Sequence, residues 1–273
     1  MSTKRIAAVV TLFALLGTAT LAAAHETWIL PSSMRVSIGR PVALSLTSGM
    51  TFPSDQLAVA PDRVERSEVR LGNEIEPLPR PQGAPRALRY LWTPRAPGVA
   101  TIAIELAPRS LELKPSQVKE YFDEIHASPA IVAQWDSVPA PRRWRESYTK
   151  HATSYVRVGS ARPDSSWMSA MGLGLEIVPE RNPTAITSGE TLPVRVLLNG
   201  SPLARFSIGA RHEGRSTSAF VTTDSSGRAA VRLPVKGRWL VFGTHLRRAH
   251  DPELEWRSDF VTMTIYVAPI GTR

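Results

Sequence analysis

The stretch AAAHETW, residues 22–28, sets one histidine, His25, directly behind a run of small residues. Cleavage after Ala24 gives His25 a free α-amine. Amine and imidazole of one residue then form a bidentate nitrogen chelate suited to Cu(II) or Ni(II) in tetragonal geometry. The amine has a pKa near ~7.7–8.0, so a metal ion displaces its proton at neutral pH. Cleavage after Ala22 instead leaves Ala23-Ala24-His25, in which the amine, two backbone amides and the third-position imidazole wrap a square-planar ion. The small-residue rule for signal cleavage favours the cut after Ala24.

Two further histidines are candidate partners. His245 ends RWLVFGTHL, where strand alternation puts Trp239, Val241, Gly243 and His245 on one face and Leu240, Phe242 and Thr244 on the other. His250, followed by Asp251, lies in a polar loop and is a third ligand or a supporting group. The expected metal set is therefore His25, His245 and His250. His126, His151 and His212 read as ordinary histidines: the first at a helix end, the second on a helix beside Lys150, the third in a charged turn. Trp28 is an anchor for the N-terminal segment, and Glu26 reads as a surface carboxylate.

The elements that must hold these residues begin with a leader. Lys4 and Arg5 precede an uncharged run from Ile6 to Ala24 that reads as a secretory signal peptide, residues 1–24, so the expected location is periplasmic. Removing it takes the formal net charge from +9 to +7, on arginines scattered through the chain. That supports no nucleic-acid groove, only a weak attraction to anionic membrane surfaces. Cysteine is absent, which excludes thiolate ligands and cysteine nucleophiles and leaves stability to core burial. The remaining 249 of 273 residues suffice for one large or two small domains.

Short alternating segments between Pro and Gly punctuation predict a small antiparallel β-sandwich over 25–108. Residues 109–158 read as a helical insertion. One helix runs through KPSQVKEYFDEIHASP, with Pro129 ending it, and a second through RRWRESYTKHATSYVRVG, with Trp144, Tyr148 and Tyr155 near one face. A linker follows over 159–171. Residues 172–270 predict about seven strands and a second sandwich, with Asn199-Gly200 as the strongest hairpin signal. The fold class is mainly β.

The order LPVRVLLNGSPLARFSI, TTDSSGRAAVRL, KGRWLVFGTHL resembles a transthyretin-like or peptidase-regulatory-like domain. Together with HETWILPSS, ESYTKHATSYVRVG and EWRSDFVTMTIYV, the chain over 25–267 resembles a periplasmic domain-of-unknown-function family associated with nickel and cobalt uptake. That resemblance implies a metal-handling protein working beside membrane metal transporter components, and it matches His245 to the histidine of the family's corresponding stretch.

No G-x-S-x-G, Walker, H-E-x-x-H or G-x-G-x-x-G pattern occurs, and GLGLE at Gly172 lacks the third glycine of a nucleotide loop. The chemistry therefore points to a binding or delivery protein for nickel, cobalt or copper and not to an enzyme. Two alternatives stay open at this level: a histidine-brace copper oxidase or monooxygenase, and a structural or interaction sandwich in which no histidines converge.

Overall fold

The computed structural model describes residues 25–160, 164–216, 218–251 and 253–271. The leader lies outside the described residues. With strands numbered along the chain, nine form the central sheet: β2 (Arg35–Val36), β5 (Val64–Leu71), β6 (Glu74–Pro77), β9 (Gly98–Leu113), β10 (Trp144–Val158), β14 (Ser207–His212), β15 (Ser218–Thr222), β17 (Gly237–Arg248) and β18 (Trp256–Val267). Their order is β15-β14-β17-β18-β10-β9-β5-β6, with β2 added to β10. Strand β10 is antiparallel to β9 and parallel to β18, so it joins the N-terminal and C-terminal β-regions into one sheet.

A smaller sheet covers each face. The N-terminal one holds β1 (Glu26–Pro31), β3 (Val42–Gly49), β4 (Leu57–Ala58), β7 (Gln82–Ala84) and β8 (Ala87–Trp92). The C-terminal one holds β11 (Leu175–Pro179), β12 (Thr191–Leu198), β13 (Ser201–Pro202) and β16 (Arg228–Arg232). Successive side chains on a strand point to opposite faces. Ala152, Val156 and Val158 of β10 accordingly pack with Ile29, Leu44 and Leu46 of the N-terminal sheet. Tyr155 of the same strand packs with Leu175, Ile177 and Val194 of the C-terminal sheet. The β9 segment GVATIAI is buried at every position because it is covered on both faces, which is why it reads as a continuous apolar run instead of an alternation.

The expected sandwiches are thus present, but they share a sheet. The predicted hairpin at Asn199-Gly200 joins β12 to β13, with φ of 49° and 79°.

The helical insertion is smaller than predicted. Helix α1 (Val118–Ile125) forms where expected, and Pro129 does not end a run but opens a second short helix, α2 (Pro129–Asp136), behind Ser128, whose hydroxyl accepts from the Ile131 amide. The second predicted helix is not a helix: its residues are strand β10. Trp144, Tyr148 and Tyr155 fit a helical face, but the Thr, Ser, Tyr and Val of SYTKHATSYV favour a pleated surface, and pairing on both sides decides the outcome. The helices cap one end of the sheet. Trp144 stacks on Trp256 at 4.7 Å, and buried Glu146 accepts hydrogen bonds from Tyr121 (2.7 Å), Trp144 Nε1 (2.8 Å) and the Ser258 hydroxyl. Among the described residues no helix is long and apolar enough to cross a membrane.

Trp28 is fully buried on β1. It meets Phe52 edge-on at 5.7 Å and packs with Leu240 and Phe242 of β17, so it pins the first strand to the central sheet. Replacing Trp28 with Ala removes that aromatic bulk and leaves a cavity, with an expected loss of about 3–5 kcal/mol. Urea unfolding of the two forms measures it, and a loss below about 1 kcal/mol would show that β1 is held by its hydrogen bonds alone.

Candidate functional site

His25 immediately precedes β1 and is half-buried. Its carbonyl accepts a 2.5 Å hydrogen bond from Lys150 Nζ. Lys150 is 3% exposed, and its ammonium lies 5.4 Å from the Phe260 ring centre and 5.5 Å from that of Tyr148. Burial, reinforced by the nearby Arg63 guanidinium, brings the Lys150 pKa down to about 7. Burial and Lys150 also lower the pKa of the His25 imidazole, which is therefore neutral at neutral pH. Its Nδ1 is buried and has no hydrogen-bond partner. Glu26 is not a free surface carboxylate: it takes a two-pronged pair from Arg211 of β14, at 3.0 and 3.3 Å.

The next residue on β10 builds a different site on the other face. His151 is 2% exposed and stands between two carboxylates, with Nδ1 3.1 Å from Glu105 of β9 and Nε2 3.3 Å from Asp259 of β18. Both ring nitrogens face acceptors, so both carry protons and the ring is an imidazolium. Burial opposes that charge, but the hydrogen bonds and the two negative charges outweigh it and raise the His151 pKa. Asp259 and Glu105 are correspondingly lowered; the hydrogen bond from His151 is the largest cause for Glu105, and for Asp259 the bonds from His151 and Arg247 overcome a larger opposing effect of burial.

Two outer residues complete this network. The Gly174 amide donates to Glu105 at 3.2 Å, and a Cβ on Gly174 would meet His151 Cε1 at 3.0 Å. Gly174 of GLGLE thus serves close packing at a sheet junction, whereas Gly172 takes a left-handed turn with φ of 79°. Arg247 Nη1 donates to Asp259 at 2.5 Å and to His245 Nδ1 at 3.3 Å. Arginine cannot accept, so His245 Nδ1 is the acceptor and its proton sits on Nε2.

This geometry breaks up the expected ligand set. His25 belongs to the face toward which Lys150 points. His245 lies directly opposite Asp259 in the ladder and shares the face of His151. The backbone of the sheet stands between them. His250 is exposed in the turn between β17 and β18. Among the described residues, no group of three or more His, Asp or Glu side chains is placed to hold a metal ion. A cationic Arg247 on Nδ1 and a proton on Nε2 further withdraw His245 from metal ligation. His212 donates from Nε2 to the Lys236 carbonyl at 2.9 Å, as an ordinary structural histidine.

His151, Glu105, Asp259 and Lys150 escaped the sequence reading because β10 was read as a helix. The Thr, Ser, Tyr and Val content of SYTKHATSYV was the available signal, and a strand reading sets the neighbours Lys150 and His151 on opposite faces. His151→Gln is expected to cost about 3 kcal/mol by removing the cation that Glu105 and Asp259 share, with Asp259 keeping Arg247. The His151 charge stabilises the fold fully below its ordinary pKa of 6.5, and that contribution is lost as pH rises through its raised folded value. The lowered carboxylates add stability above their ordinary range that is lost in acid. The difference between wild type and variant, from denaturant titrations at several pH values, should peak near pH 5–6 and shrink on either side; a difference that grows from pH 6 to 9 would contradict the imidazolium assignment.

Comparison with known proteins adds a family. No curated protein sequence matches the chain. Among solved structures, the D0-D1 domain of intimin aligns over 89% of this chain and 97% of its own, at 13% identity and a TM-score of 0.23. The Yersinia pseudotuberculosis adhesin InvE aligns over 90% and 59%, at 10% identity and a TM-score of 0.24. A Legionella pneumophila protein of the DUF4785 family aligns over 79% and 46%, at 8% identity and a TM-score of 0.22. The profile of the domain of unknown function DUF4198 matches residues 22–246, the span that contains the His25 segment, the shared strand, His151 and Glu105 and ends before Arg247 and Asp259, and the chain therefore belongs to the DUF4198 family.

Proposed function

We propose that this chain is an exported binding module that captures a divalent transition metal ion, Ni(II), Co(II) or Cu(II), at His25 and passes it to components of a membrane uptake system. The observation that carries the reading is the buried, unpartnered His25 Nδ1, beside groups whose own polar atoms are taken: Lys150 by the His25 carbonyl and Glu26 by Arg211. Processing after Ala24 places an α-amine on the same residue, and amine and Nδ1 close a six-membered chelate ring around a metal ion. The lowered imidazole pKa supports this, because the ring needs no deprotonation to become a ligand. Two nitrogen donors leave the other coordination positions to water or to a receiving protein, which suits hand-over better than storage.

A redox enzyme with a histidine brace needs a second imidazole at the same ion. The separation of His25 and His245 by the sheet weighs against that reading and in favour of a carrier. Lys150 has a positioning part: its bond to the His25 carbonyl holds the residue that bears both donors.

Intact mass of the exported protein should show His25 as the first residue. In Cu(II) and Ni(II) titrations, His25→Ala and a form with one residue added before His25 should each bind at least about tenfold more weakly. The affinity of the unaltered protein should rise with pH up to about 8, as the α-amine loses its proton, and then level off. A start beyond His25, or equal binding by His25→Ala, would overturn the proposal.

A further inference from the structure

Strand β14 pairs with β17 only over Trp239–Phe242, whereas β18 accompanies β17 as far as Arg248. Where β14 leaves, Thr244, His245 and Leu246 border a cavity of about 630 Å³. The turn between α1 and α2 and the segment from β13 to β14 form its other walls. The size is that of a small-molecule site, commonly ~300–1,000 Å³. Ile125, Ile131, Leu203, Phe206 and Leu246 supply apolar lining, and no carboxylate lines it.

Its backbone is unusual in one respect. Three non-glycine residues among those described have positive φ: His126 at 51°, Asn199 at 49° and Arg205 at 54°. Asn199 serves the Asn-Gly hairpin. The other two both line this cavity. Each sits where glycine satisfies the backbone at less cost, His126 at the left-handed C-cap of α1, a position glycine usually takes. Holding a larger residue there costs on the order of 1 kcal/mol, and such strain collects where a side chain is needed by a ligand.

The polar groups are donors without acceptors to match. Among the described residues the Arg205 guanidinium has no hydrogen-bond or ion-pair partner, and neither do the His126 ring nitrogens. His126 lies against the Phe220 ring, 3.8 Å between centres. His245, its Nδ1 occupied by Arg247, carries an Nε2–H that donates.

We infer that this cavity binds a small organic carboxylate with an apolar body, the charge met by Arg205 with His126 and His245 as hydrogen-bond donors, and the body laid against Ile131, Leu203, Phe206 and Leu246. A monoanion fits because Arg205 is the single permanent cation in the lining. The inference does not depend on metal capture at His25, which uses different residues.

Octanoate is the probe, titrated calorimetrically into the exported protein, with acetate and 1-octanol as controls lacking the body or the charge. Octanoate should bind at least about tenfold more tightly than either, and should shift the ring resonances of His126 and His245 in proton NMR. Arg205→Gly should weaken octanoate by about tenfold or more while Tm stays level or rises, because glycine relieves the left-handed strain. Arg205→Lys should retain most of the affinity, and His25→Ala all of it. Absence of octanoate binding, equal binding of 1-octanol, ring resonances that do not move, or undiminished affinity in Arg205→Gly would each overturn the inference.

Discussion

Strand β10 pairs along most of its length with β9 on one side and β18 on the other, and this double pairing is what makes one molecule of two β-regions. A strand in that position has no edge, and both of its faces are covered by a packed sheet or by helices. Each polar side chain in its fully buried stretch must therefore find a partner inside the protein, because water does not reach it. The strand carries five such groups along its buried length: Glu146, Lys150, His151 and the hydroxyls of Thr153 and Ser154.

Each is answered by a residue distant in sequence. Glu146 takes three donors from α1, β10 itself and β18. Lys150 is met by the carbonyl of His25, and His151 by Glu105 and Asp259. These contacts also set the register. Shifting β10 by one residue would exchange the faces of Lys150 and His151, putting an ammonium between two carboxylates that need a two-ended donor and an imidazole against the His25 carbonyl. Apolar packing alone would resist such a slip less sharply. The buried charges thus act as a key between sheets as much as a source of stability, since a buried ion pair gains little over apolar packing and loses much when one member is removed.

The same alternation distributes the proposed chemistry. The face of Lys150 holds the start of the described residues and His25, the histidine proposed to bind metal. The face of His151 holds the network that runs through Asp259 and Arg247 to His245 and fixes the proton on that ring. A histidine expected to ligate metal becomes a hydrogen-bond donor because an arginine occupies its other nitrogen. Charge, not distance alone, decides which histidines suit a cation and which suit an anion.

Much of the architecture was legible in the residues. Two β-rich regions, the Asn-Gly hairpin, helix α1 and the alternation of β17 follow from short-range preferences that the local sequence carries by itself. Trp28 was readable both as an anchor of the first strand and as ordinary core, since a large aromatic residue contributes most when buried. What the sequence could not reveal is the state of residues 144–158, whose aromatic spacing suits a helix and whose composition suits a strand; pairing with β9 and β18, more than thirty and one hundred residues away in the chain, settles it. The separation of His25 from His245, the meeting of His151 with Glu105 and Asp259, and the cavity edged by two left-handed residues all depend on that pairing. Local chemistry determined which residues were capable of binding, and only the tertiary contacts decided which of them share a face, because strand alternation turns a single residue of register into opposite sides of a sheet.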